Sequence, residues 1–229
     1  MAMQETGVEH ARASVPYPRL ESRSEWRVDA VVHVVGIIFG LAACAILAIV
    51  VWPNEDAAVL RSLAVYGAGL VAMLGCSALY NLAGDGPRKA LWRRLDHAAI
   101  FVMIAATYTP FLAIAIGGAW GTGLLVFVWA VAAVGVVLKL LDPGRLETLS
   151  IAAYLSLGWT ILVAIDRLIA AVSLRALILL AAGGILYSVG VLFYRWHRLA
   201  YQRAIWHGFV LTAAACQYFA ILDVLASRG

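Results

Sequence analysis

The sequence predicts an all-α membrane protein, a bundle of seven transmembrane helices. Three observations carry that expectation. Hydrophobic residues fill 64% of the 229 positions and charged residues only 13%, about half the charged share of a soluble domain. The apolar residues gather into seven stretches, each long enough to cross a hydrocarbon core about 30 Å thick. The lysines and arginines crowd onto alternate connections, and that alternation independently demands an odd number of crossings.

The stretches lie at about 30–51, 59–82, 96–116, 119–141, 147–165, 174–194 and 204–225. They are apolar on all sides, and lipid offers no partner to an unpaired backbone group. Helices satisfy that demand within one segment, and the alternating pattern of a barrel is absent. Trp52-Pro53-Asn54 closes the first segment, Gly84-Asp85-Gly86-Pro87 follows the second, Gly117-Gly118 parts the third from the fourth, and Asp142-Pro143-Gly144 closes the fourth. Inside the third, Tyr108-Thr109-Pro110 predicts a kink that frees backbone carbonyls. Gly36 and Gly40, four apart, suit close helix packing. Trp52, Trp92, Trp120, Trp196 and Trp206 fit an interfacial belt. Asp166-Arg167 reads as a solvated pair at the outer end of the fifth segment.

Orientation follows from the basic residues. The N-terminal tail, the 2–3, 4–5 and 6–7 connections hold thirteen of the seventeen lysines and arginines. The N-terminus is therefore expected inside and the C-terminus outside. Residues 1–27 are polar, contain Pro16 and Pro18 and lack the pattern of a secretory signal. They read as a disordered cytoplasmic tail ahead of a membrane domain at 28–229. Cys44, Cys76 and Cys216 lie in apolar runs and behave as small hydrophobes. The net charge of +4 is small, and nothing points to nucleic acid. Arginine outnumbers lysine fifteen to two, in keeping with a GC-rich bacterial genome and a multi-pass protein of the bacterial inner membrane. No internal repeat supports a carrier built from inverted halves.

Ionisable residues inside membrane spans are costly and mark functional sites by default. Here they share one depth, near the inner surface. The first segment brings Asp29 and His33, the second ends with Ser77 and Asn81, the third begins with Asp96 and His97, and the seventh begins with Arg203 and His207. The four-residue spacings place each such pair on one helix face. Singly, each has a plain reading: Asp96 as an acid at a helix N-terminus, His97 facing headgroups, Arg203 snorkelling, His33 as a packing residue, Ser77 and Asn81 as hydrogen-bonders between helices.

Three strings, LDHAAIFVMIAATYTPF (95–111), SALYN (77–81) and RAIWHGFVL (203–211), resemble the signature regions of the hemolysin III family. These are bacterial relatives of the seven-helix progestin and adiponectin receptors, and the resemblance runs from about Arg27 to Leu225. It implies a zinc ion near the cytoplasmic helix ends, held by one histidine from helix 2 and two, four apart, from helix 7. A helix 3 aspartate would hold a water there. The chain departs from that pattern. Asn81 stands at the helix 2 ligand position and Arg203 at the first helix 7 position, so His207 alone keeps its ligand type. Asp96 and Ser77 match the family, His33 matches a helix 1 histidine, and Gln217 replaces a deeper helix 7 histidine.

An arginine has no lone pair to give a metal, and its charge beside a divalent cation adds repulsion. The expectation is therefore a polar site of His33, Ser77, Asn81, Asp96, Arg203 and His207 without metal, in which the Arg203 guanidinium pairs with Asp96. The alternative keeps a zinc on His33, His207 and Asp96, with Ser77 or water fourth, though His33 must then reach across the bundle. The expected function is non-enzymatic binding of a membrane lipid or fatty acid, in membrane homeostasis or signalling. Two alternatives stand beside it. One is a metal-dependent lipid amide hydrolase of the ceramidase kind, with Asp96 and Ser77 catalytic; the other is a pore or ion-coupled carrier.

Overall fold

The computed structural model describes residues 22–51, 56–84, 86–141 and 147–227. Among the described residues, eight α-helices run in the order α1 (Arg23–Val51), α2 (Ala57–Leu82), α3 (Lys89–Pro110), α4 (Gly118–Leu141), α5 (Glu147–Gly158), α6 (Ile165–Ala171), α7 (Leu174–Arg195) and α8 (Gln202–Ala226). A π-helical turn, Phe111–Ile116, extends α3, and a 3-10 turn, Thr160–Ala164, joins α5 to α6. With those joints there are seven helices long and apolar enough to span a membrane. No strand occurs among the described residues. The expected turns at 52–54 and 142–144 and tail residues 1–21 lie outside the described residues.

The first span starts earlier than the apolar run suggests. Ser22 and Glu25 form a reciprocal capping box: the Glu25 N–H donates to Ser22 Oγ at 3.2 Å, and the Ser22 N–H donates to Glu25 Oε2 at 2.8 Å. Two otherwise orphaned donors are satisfied, so the helix begins at Arg23 and takes up residues 23–27 of the expected tail. Asp56 caps α2 by accepting from the Ala58 N–H, and Ser173 caps α7 by accepting from the Ala176 N–H. Side-chain donors close several C-terminal ends. Lys89 Nζ reaches the Tyr80 and Ala83 carbonyls of α2, Arg94 the Leu140 carbonyl of α4, and Gln202 the Phe193 and Tyr194 carbonyls of α7.

Pro110 has no N–H to continue the α-helical ladder, so α3 passes into the π turn. Its last bond runs from the Gly117 N–H to the Leu112 carbonyl, 3.0 Å away. Gly117 and Gly118 then reverse the chain at φ +61° and +60°, a conformation only glycine adopts without strain. The fifth span runs on to Ala171, past the expected end at 165, because it breaks and restarts instead of stopping. Tyr108 secures the break. Its hydroxyl accepts from the Ile161 N–H at 2.9 Å and donates toward the Gly158 carbonyl at 2.7 Å. A broken helix in lipid needs such a partner. The guanidinium of Arg167 stacks over the Trp120 ring at 4.8 Å, where a solvated pair with Asp166 was expected.

Helix α1 packs between α2 and α8, α3 packs against α2 and α4, and α7 lies along α8. Gly36 and Gly40 sit against Leu74 of α2, and a Cβ added at Gly40 would stand 2.8 Å from it. One apolar cluster, with Tyr66, Leu70, Tyr218 and Ile221, joins α1, α2 and α8; a second, with Phe101, Leu112, Val128 and Leu157, joins α3, α4 and α5. Ile38, Ile49, Val126 and Leu174 point outward, as residues facing acyl chains would.

Candidate functional site

The starts of α1, α3 and α8 and the ends of α2, α4 and α7 share one end of the bundle. There Asp29 and His33, one turn apart on α1, face His207 on the second turn of α8. His207 Nδ1 donates to Asp29 Oδ1 at 2.6 Å. His33 Nε2 stands 3.6 Å from Asp29 Oδ2, beyond a hydrogen bond. The two imidazole centroids are 4.4 Å apart, with their planes tilted by 54°. Asp29 and His33 are only 4% and 7% exposed. His33 Nε2 has no hydrogen-bond partner, and a buried polar atom in that state costs about 1–3 kcal/mol.

The local fold explains the meeting. Glu25, buried one turn before Asp29, accepts the Tyr201 N–H at 2.9 Å. Tyr201 takes the left-handed conformation, φ +58°, which a bulky residue adopts only under constraint. The start of α8 is thereby tied to the start of α1, and His207 follows in register.

The Asp96 carboxyl, on α3, faces Ser77 of α2 and the imidazoles of His97, His207 and His33. His97 lies half-buried, its Nδ1 2.7 Å from the Arg93 carbonyl. Asn81 turns back on its own helix, donating to the Ser77 carbonyl at 2.9 Å. Arg203 was expected to pair with Asp96, and it lies exposed on the first turn of α8. The acid that meets the α8 face is Asp29, and Asp96 is surrounded by a hydroxyl and imidazoles. A long guanidinium one turn nearer the helix end reaches water more cheaply than the bundle interior. The distance objection to His33 also falls, because α1 and α8 are neighbours.

A cavity of about 300 Å³ leads from these groups into the bundle. His33, Ser77, Asp96 and His207 line one end, joined by Lys139 of α4 and Glu147 of α5. Lys139 was expected among the solvated inner charges, yet it is 2% exposed. Further along, the lining is apolar, with Ile104, Phe111, Leu180 and Val210. Gln217 lines the cavity deeper in α8 and donates to the Leu180 carbonyl at 3.3 Å.

Sequence reasoning left Asp29 out of the proposed site and missed Glu25 and Lys139. Asp29 carried a signal, its four-residue spacing to His33. Glu25 carried the S-x-x-E pattern of a capping box. Nothing in the sequence distinguished Lys139 from other flanking charges.

The family-implied zinc positions do not fit a metal here. Asn81 offers only a neutral amide oxygen in place of an imidazole, Arg203 offers no lone pair, and His207 stands alone at those three positions. The residues that do gather with ligand chemistry are Asp29, His33 and His207, whose ligand atoms all lie within 4.8 Å of one another.

Fold and site together define a multi-pass membrane protein of seven helical spans with a polar cluster at one end of an intramembrane cavity. A family model described as "Haemolysin-III related" matches residues 23–218, and the chain belongs to that family. It is similar to the "Hemolysin-3 homolog" of Bacillus subtilis (strain 168), 36% identical over 85% of this chain and 91% of the relative. "Hemolysin-3" of Bacillus cereus is 37% identical over 85% and 89%. The human "Monocyte to macrophage differentiation factor" is 29% identical over 70% and 69%. No solved structure matches the chain significantly.

Proposed function

We propose that this hemolysin III protein binds a membrane lipid or fatty acid in the bundle, without turning it over, and serves membrane homeostasis or signalling. One observation carries the reading: the cavity gathers its acidic, basic and imidazole side chains at one end, and the lining beyond is mostly apolar. Its volume of about 300 Å³ lies at the small end of ligand sites, roughly 300–1,000 Å³. An acyl chain suits the stretch past Ile104 and Leu180. A carboxylate or ester head suits the end where buried Lys139 supplies positive charge and Ser77 a hydroxyl. A pore needs polar lining from end to end, and the lining here turns apolar.

The test is lipid extraction and mass spectrometry of protein purified in mild detergent, followed by titration with a fluorescent fatty acid. About one acyl chain retained per protein, displaced by free fatty acid, supports the reading. Protein that retains none and shows no saturable binding refutes it. Release of free acid from an N-acylated lipid by the same preparation would replace binding with hydrolysis.

A further inference from the structure

We propose that Asp29, His33 and His207 form a binding site for a divalent transition metal of the zinc class, with two of its three ligands drawn from α1. The site stands apart from the family-implied positions 81 and 203 and shares only His207 with them. It can be tested apart from the lipid reading, although His33 and His207 line the cavity end assigned to the lipid head.

Four observations support it. The ligand atoms already lie within 4.8 Å of one another. Around a tetrahedral zinc with bonds of about 2.0–2.2 Å, neighbouring ligand atoms stand roughly 3.3–3.5 Å apart. The present separations, 2.6 Å from Asp29 Oδ1 to His207 Nδ1 and 3.6 Å from Asp29 Oδ2 to His33 Nε2, leave small shifts to reach it. Second, the His33 imidazole is buried and its Nε2 has no hydrogen-bond partner, so a ring nitrogen faces the cluster unused. Third, acidic side chains stand around the cluster. Asp29 and Asp96 approach the same two imidazoles from different helices, so an oxygen ligand is at hand beyond the three named. Fourth, the chemistry of two imidazoles and one carboxylate suits zinc and its first-row neighbours and disfavours the hard ions calcium and magnesium. His33 and His207 also line the cavity. The open side of the site therefore faces Asp96 and Ser77, where a fourth ligand can enter.

The ion competes with an arrangement in which the His207–Asp29 hydrogen bond alone joins α8 to α1 and no metal enters. Metal content separates the two. The full chain, carrying a tag without histidines, is equilibrated with buffered micromolar zinc, desalted and measured by plasma mass spectrometry. About one zinc per chain is expected. His33→Gln and Asp29→Asn should each lower that content at least tenfold, whereas Asn81→Ala and Arg203→Ala leave it unchanged. Because the first two variants can fail to fold, X-ray absorption of the zinc-loaded wild type gives a second readout. Two imidazoles and one carboxylate in the coordination shell confirm the site. No zinc at saturation, or zinc bound through one imidazole, overturns it. So does zinc whose content survives both α1 substitutions in folded protein. Lipid content, measured on the same samples, reports separately on the lipid reading.

Discussion

His207 of the last helix donates to Asp29 of the first, with 2.6 Å between Nδ1 and Oδ1 and both side chains nearly buried. This bond closes the bundle between chain elements 178 positions apart. Removing one partner leaves the other charged or polar group stranded in a low-dielectric setting. Asp29→Ala and His207→Ala should each cost about 3–5 kcal/mol, read as a lowered midpoint in thermal unfolding in detergent. The double variant should lose much less than the sum of the two. Additive losses would show that the pair does not act as a unit.

Tyr108 holds the break in the fifth span through the Ile161 N–H and the Gly158 carbonyl. Tyr108→Phe keeps the ring and removes both bonds. At about 0.5–1.5 kcal/mol each, the loss should be about 1–3 kcal/mol. Hydrogen exchange should rise locally around Trp159 to Ile161 and stay unchanged in α1 and α2. A uniform rise would assign Tyr108 to general packing.

Gly121 allows α4 to approach the π turn, and a Cβ there would stand 2.2 Å from the Leu112 carbonyl oxygen. Backbone cannot yield as a side-chain tip does. Gly121→Ala should therefore destabilise by about 1–3 kcal/mol, whereas Gly123→Ala, with open space around it, should leave the unfolding midpoint nearly unchanged.

Glu25 joins the cap of α1 to the Tyr201 N–H at the entry to α8. Glu25→Gln keeps one acceptor oxygen and sets an amide –NH2 against the other N–H, so it should cost less than the loss of both acceptors. Glu25→Ala strands two donors and should cost about 1–3 kcal/mol, with the loss of protection concentrated at residues 22–29 and 201–207. Equal effects of the two substitutions would remove hydrogen bonding as the explanation.

Ile104 lines the apolar reach of the cavity. Ile104→Trp fills space that the proposed acyl chain needs, so retained lipid should fall severalfold while the seven-span fold persists by circular dichroism. Retention at the wild-type level would place any lipid on the outer surface of the bundle.

Much of this protein was legible before folding. Seven spans followed from apolar length, because a helix in lipid satisfies its own backbone and needs no distant partner. The common depth of His33, Ser77, Asp96 and His207 followed likewise, since depth depends only on distance from a helix end. The family followed from three strings, each contiguous in sequence. Helix joints were read less well. The kink expected at Pro110 is present as a π turn, but the break at Trp159 left no proline to announce it, and Tyr108, which makes that break tolerable, lies about fifty positions away.

Tertiary structure alone decided which acid faces which base. Asp29 and Asp96 share a depth and a residue type, and spacing shows only which face of its own helix each occupies. The choice between them rests on the order of helices around the bundle and on the rotation of each about its axis. Packing sets both, through Gly36 and Gly40 against Leu74 and through Glu25 at the head of α8. That packing turned His207 to Asp29 and left Arg203 at the surface. It also drew Lys139 into the cavity, because the face a lysine presents is fixed by its helix's neighbours and not by its place near the membrane edge.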